Sequence, residues 1–138
     1  DPVVKSLEAL ITDMERPNGI AFSPDESQLF ISNTGDTKYI RRYDINKNLK
    51  ISNPVEFIKT DSDYVMDGFR FDVENNLWTS CGDGVACYTL SGERIGYIKI
   101  PERVSNIDFG GADGKTLFIT ASTSFYIASL NVKGAKFI

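Results

Sequence analysis

Arg16-Pro17-Asn18-Gly19-Ile20-Ala21-Phe22, followed by Ser23-Pro24-Asp25 and then by Gln28-Leu29-Phe30-Ile31-Ser32, is the stretch whose reading decides the fold. A polar residue precedes an alternating strand, a polar turn follows, and a second strand of Leu-aromatic-Ile character returns. The pattern occurs twice more. Val65-Met66-Asp67-Gly68-Phe69-Arg70-Phe71 leads through Glu74-Asn75-Asn76 to Leu77-Trp78-Thr79-Ser80. Val104-Ser105-Asn106-Ile107-Asp108-Phe109 leads through Asp113-Gly114-Lys115 to Thr116-Leu117-Phe118-Ile119-Thr120. Asn18, Asp67 and Asn106 stand 11, 10 and 11 residues before Leu29, Leu77 and Leu117, and lie 49 and 39 residues apart. A period of ~40–50 residues built from strands is the signature of propeller blades.

Working outward, a third strand is expected after each pair, at Tyr39–Ile45, Gly84–Leu90 and Phe125–Val132. A fourth is expected in the first two repeats, at Pro54–Thr60 and Arg94–Ile100. These runs alternate, favour β-branched and aromatic residues, and are bounded by Gly, Asn, Asp and Pro. The Lys5–Met14 segment is expected to be the outer strand of a preceding blade, within residues 3–14. The fold class predicted is all-β: three blades, half of a six-bladed β-propeller, at about 16–60, 65–100 and 103–133. Three blades would leave two open sheet faces, so either a missing N-terminal half or a second copy is expected to close the ring. A β-sandwich or small barrel of this length is the alternative, and the repeat argues against it.

Composition narrows the chemistry. The 138 residues are 41% hydrophobic and 25% charged, with 15 basic and 19 acidic side chains and a formal charge of −4. Arg41-Arg42 is the longest basic run, so neither nucleic acid nor an anionic membrane is an expected partner. There is no histidine. That excludes a Ser-His-Asp triad, a three-histidine zinc site and a His-Glu-x-x-His helix, and leaves carboxylate, lysine, tyrosine or cysteine as a general base. A turn around Gly82-Asp83-Gly84 would set Cys81 opposite Ala86 and Cys87 opposite Ser80. Two buried free thiols are expected there, with a disulfide as the alternative.

The three segments in order resemble the SMP-30/gluconolactonase/luciferin-regenerating-enzyme family. Arg16-Pro17-Asn18-Gly19-Ile20-Ala21-Phe22-Ser23-Pro24-Asp25 is similar to a signature blade of that family, and Asp67-Gly68-Phe69-Arg70-Phe71-Asp72 with Asn76-Leu77-Trp78-Thr79-Ser80 to its next blade. Phe109-Gly110-Gly111-Ala112-Asp113-Gly114, Thr116–Ser122 and the tail Leu130-Asn131-Val132-Lys133-Gly134-Ala135 resemble its last blade. The resemblance maps to the C-terminal half of a six-bladed ring. It implies a lactonase acting on a small-molecule lactone such as gluconolactone. It also implies a channel cation, calcium or another divalent ion such as Mg²⁺ or Zn²⁺. By the same resemblance Asn18 and Asp67 are metal ligands, while a further Glu ligand belongs to a blade this chain does not contain.

The residues support part of this independently. Asn18, Asp67 and Asn106 precede the innermost strand of each repeat and should converge on one mouth. Amide and carboxylate oxygens suit Ca²⁺ or Mg²⁺, and ~6–8 of them are needed to complete a calcium shell. Asp67 is also the candidate catalytic base, and Asn106 a candidate substrate or channel residue. Each is also an ordinary turn residue whose side chain can bond its own backbone. The competing functions are a non-catalytic metal-binding or interaction propeller and a self-assembling half-propeller. The isolated chain is expected to be inactive.

Overall fold

The protein is described by a computed structural model covering residues 7–60 and 64–135. Eleven strands are present among the described residues: β1 Pro17–Phe22, β2 Gln28–Thr34, β3 Lys38–Ile45, β4 Ile51–Thr60, β5 Phe69–Phe71, β6 Leu77–Ser80, β7 Gly84–Tyr88, β8 Arg94–Lys99, β9 Val104–Gly110, β10 Thr116–Ala121 and β11 Phe125–Ser129. They form three antiparallel meanders in the orders β1-β2-β3-β4, β5-β6-β7-β8 and β9-β10-β11. The innermost strands are neighbours, β1 packing on β5, and β5 and β6 on β9. Each sheet is thus a blade joined to the next through its inner edge.

Alternation decides what fills the two gaps between blades. Phe30 and Ile40 face Phe69, Phe71 and Leu77 across the first gap, together with Ile58 and Met66. Phe30 meets Phe57 and Phe71 edge-on, with ring centroids 5.1 and 4.9 Å apart. Val85 faces Ile107, Leu117 and Ile119 across the second gap, with Ile100 and Val104. Burying such a side chain contributes about 1.5–3 kcal/mol, so blade stacking is the main source of cohesion. The two outermost faces have no such cover. Ile20 is 59% exposed on the first, and Phe125 and Ile127 are 64% and 66% exposed on the last.

Three expectations need correction. Residues 7–14 contain no strand; Leu7 and Leu10 are exposed and find no sheet to join, while residues 3–6 lie outside those described. Instead this segment lies over the first blade, where Asp13 pairs with Arg41 at 2.7 Å and Met14 accepts a hydrogen bond from the Tyr43 hydroxyl. The last strand stops at Ser129 rather than Val132 because the chain turns back. The Val73 amide donates to Lys133, the Ala135 amide to Phe71, and the Gly134 amide to Gly114, so the tail ties the second blade to the third.

The cysteine hairpin is the third correction. The Cys81 amide donates to the Gly84 carbonyl, so the two-residue turn is Gly82-Asp83 and Cys87 lies opposite Trp78, not Ser80. Both thiols are free and buried. Burial pushes the Cys87 thiol up to about 12, aided by the negative charges of Asp72 and Glu74.

Candidate functional site

The first and third inner strands begin with an irregularity that sets the site. In the first blade Pro17 pairs with Asn33 and Ile20 with Ile31, so Asn18 and Gly19 together oppose Ser32 alone. That is a β-bulge, the device that re-aims a side chain at a strand end. The Gly19 amide donates to the Ser32 hydroxyl at 2.7 Å. The second blade keeps regular register at this place, with Ser80 opposite Gly68: the Asp67 amide donates to the Ser80 hydroxyl at 3.0 Å, and the Ser80 amide to the Gly68 carbonyl at 2.9 Å. Ser32 and Ser80 are both fully buried.

Register corrects the equivalence in the third blade. Phe22, Phe71 and Phe109 pair with Leu29, Leu77 and Leu117; Ile20, Phe69 and Ile107 pair with Ile31, Thr79 and Ile119. Two residues before the latter set stand Asn18, Asp67 and Ser105. Asn106 therefore occupies the place of Gly19 and Gly68. The sequence carries a signal for this: aligning Glu15-Arg16 with Glu102-Arg103 puts Ser105 under Asn18. The glutamates do the same structural work. Glu15 accepts the Asp36 amide of the β2–β3 hairpin, and Glu102 accepts the Thr123 amide of the β10–β11 hairpin, each at 2.8 Å. Hydrogen bonds from Ser124, Tyr126 and Thr123 hold the Glu102 carboxyl down at about 2.

The glycines bring the blades together. A Cβ on Gly19 would overlap the Asp67 carbonyl oxygen and the Phe69 ring, and one on Gly68 would overlap the Asn106 amide. The Gly68 amide also donates to the Ser105 carbonyl at 3.1 Å, a main-chain bond from the second blade to the third. Only residues without a side chain allow this approach.

The result is one cleft of about 260 Å³ lined by Asn18, Gly19, Ile20, Asp67, Gly68, Arg70, Ser105 and Asn106. All three polar residues singled out from the sequence line it. Among the described residues, neither the Asn18 amide nor the Asp67 carboxylate has a hydrogen-bond partner for its side chain. Asn106 differs, because its side-chain oxygen accepts the Ile107 amide at 2.9 Å. A second cleft, of about 350 Å³, shares Asp67 and Ser105 and adds Val65, Arg103 and Ser122. Two unengaged hard oxygen donors fit a hard divalent cation. They do not complete its shell, and the described residues contain no group of three His, Cys, Asp or Glu placed to hold a metal.

Other aromatic and acidic side chains lie away from the cleft. Tyr39 and Tyr43 are buried and accept hydrogen bonds from Arg41 on the outer side of the first blade. The Trp78 ring meets Phe109 edge-on, and its indole N–H donates to Asp72 at 2.8 Å. Sequence reading passed over Asp72, which is fully buried. It also accepts the Glu74 and Asn76 amides and the Asn76 side chain, so it builds the turn between β5 and β6. Asp25 and Asp113 cap turns in the other two blades.

Stacked meanders whose inner strands present oxygen donors at their starts define a β-propeller protein with a polar cleft on its inner side. Residues 1–123 match the SMP-30/Gluconolactonase/LRE-like region, and the chain belongs to that family. A gluconolactonase of Zymomonas mobilis is 32% identical over 126 residues, which cover 84% of this chain and 35% of that protein. The structure of a gluconolactonase from Xanthomonas campestris is 32% identical with a TM-score of 0.79, covering 87% of this chain and 39% of the other. A calcium-binding regucalcin from Agrobacterium tumefaciens has the same fold at 22% identity and a TM-score of 0.78, covering 91% and 49%. The chain thus spans about a third to a half of the length of these relatives.

Proposed function

We propose that the complete protein is a divalent-cation-dependent lactonase that hydrolyses a sugar lactone such as gluconolactone, and that this chain is its C-terminal half. The observation that carries the reading is the pairing of Asn18 and Asp67 on one cleft, each with its side chain unengaged, in a chain of a lactonase-containing family. Asn18 and Asp67 would hold the cation, calcium first among the choices. When bound there, it would supply Lewis acidity for the ring carbonyl.

The chain's own residues divide the remaining work. Asp67 is the base: its carboxylate takes the proton of the attacking water as the acyl C–O bond opens to the hydroxy acid. Asn18 is a neutral donor that fixes the geometry. Asn106 and Ser105 form the wall against which a polyol ring would lie.

The exposed outer faces favour completion of the ring by further blades, from the rest of the protein or from a second copy. A carboxylate, amide and waters cannot alone give a closed site, so the isolated 138-residue chain is expected to be inactive. Hydrolysis of δ-gluconolactone by the complete protein, followed with a pH indicator, should stop on addition of EDTA. It should also fall at least 100-fold in Asp67→Ala. A metal-dependent rate that Asp67→Ala leaves unchanged contradicts the assignment.

A further inference from the structure

The buried hydroxyls behind the two donor residues have a role that burial alone does not explain. Ser32 and Ser80 occupy the same repeat position, three residues after Leu29 and Leu77. Each is fully buried, and each uses its oxygen to accept an amide at the start of the inner strand opposite it, Ser32 from Gly19 within a bulge and Ser80 from Asp67 just before regular pairing. A bulge removes an amide from the ladder, and a buried unpaired amide costs about 1–3 kcal/mol. An apolar residue at position 32 would leave the Gly19 amide unsatisfied and the bulge free to relax into regular pairing, and one at position 80 would leave the Asp67 amide unsatisfied and the approach to β5 free to move. Regular pairing would shift the first inner strand by one residue and turn Asn18 to the opposite face.

The third blade is the internal control. Thr120 holds this position but is exposed, and it does not accept an amide from the bulge. Its hydroxyl lies 3.0 Å from the Ser105 hydroxyl and donates to the Asn106 carbonyl at 3.3 Å. The blade with no free oxygen donor is the one without a buried serine bracing its bulge.

We propose that Ser32 and Ser80 are positioning residues that fix the starts of the two inner strands and so hold Asn18 and Asp67 in ligating orientation. The inference rests on the cation-site reading given above. Groups that orient ligands from behind typically change metal affinity about 10–100-fold. Ser80 acts directly on the Asp67 backbone and should have the larger effect. Ser32 braces Gly19, one residue beyond its ligand.

The test is calorimetric titration of the chelator-stripped complete protein with Ca²⁺ alone, alongside thermal melts. Ser80→Ala is expected to weaken calcium binding about tenfold or more while the protein stays folded at the titration temperature. Ser80→Thr, which keeps the hydroxyl, is expected to restore most of the affinity. Thr120→Ala, the same change in the third blade, is expected to leave affinity within about twofold. Asp67→Asn separates the two claims. If it abolishes binding while Ser80→Ala binds as the wild type does, the positioning role is overturned and the site survives. If Asp67→Asn binds calcium normally, both are overturned. A loss in Ser80→Ala that Ser80→Thr fails to rescue also counts against the hydroxyl.

Discussion

The first two blades and the third are built on one repeat and end in different chemistry. In the first two, a buried serine accepts an amide at the start of the inner strand, a glycine permits the next blade to close in, and an Asn or Asp side chain is left unengaged. In the third, Ser105 stands where the donor should be and is tied to Thr120, while Asn106 replaces the glycine and spends its oxygen on its neighbour's amide. A shared backbone device can therefore either present a ligand or close off the wall beside it. What differs is whether the hydroxyl accepts a backbone amide, as in Ser32 and Ser80, or donates to a carbonyl and pairs with another hydroxyl, as in Thr120.

The comparison can be broken through the turns first, where the largest stability effect lies. The second blade's turn is built on a buried carboxylate accepting four hydrogen bonds, whereas Asp25 and Asp113 are exposed. Charge-assisted bonds to a buried acceptor are the expensive kind to lose. Asp72→Ala should cost about 3 kcal/mol or more in chemical denaturation, and Asp25→Ala or Asp113→Ala less than about 1 kcal/mol. Equal effects would mean that the blades' turns are interchangeable.

Close approach between blades comes next. Gly19→Ala places a methyl on the Asp67 backbone and should destabilise by about 1–3 kcal/mol, the usual penalty for overpacking. Gly96→Ala is the contrast, because its Cβ would meet only the Cys87 side chain at 3.4 Å. It should lie within about 0.5 kcal/mol of the wild type. A neutral Gly19→Ala would show that the inner strands are not in contact.

The smallest effect is electrostatic. Glu102, held down to about 2, gives stability that is fully present above its ordinary carboxylate range. That stability disappears as pH falls through about 2, where the folded form takes up its proton. Glu102→Gln should therefore lower the melting temperature slightly at pH 7 and make no difference near pH 2. A gap that persists at pH 2 would assign the effect to shape rather than charge.

Much of the fold was legible because a strand repeat leaves its period in the sequence. The Leu-aromatic-Ile second strands, the polar turns and the three blades all follow from it. The pairing of Asn18 with Asp67 on one cleft was legible for the same reason. The bulges were not, since an extra residue in a strand changes no residue type. Spacing alone therefore set Asn106 beside Asn18, and only register showed that Ser105 belongs there. Asp72 was hidden in an Asp-Val-Glu-Asn-Asn run that reads as an ordinary turn. Residues 7–14 carry no paired strand, and the preceding blade to which the sequence assigns them is not part of this chain.

The most direct test of the central contrast is the calcium affinity of the complete protein in two matched variants. Asn18→Ala removes an unengaged donor and should weaken binding at least tenfold, while Asn106→Ala should leave it within about twofold. If Asn106→Ala instead weakens calcium binding as much as Asn18→Ala does, the third blade contributes a ligand and the contrast between blades is wrong.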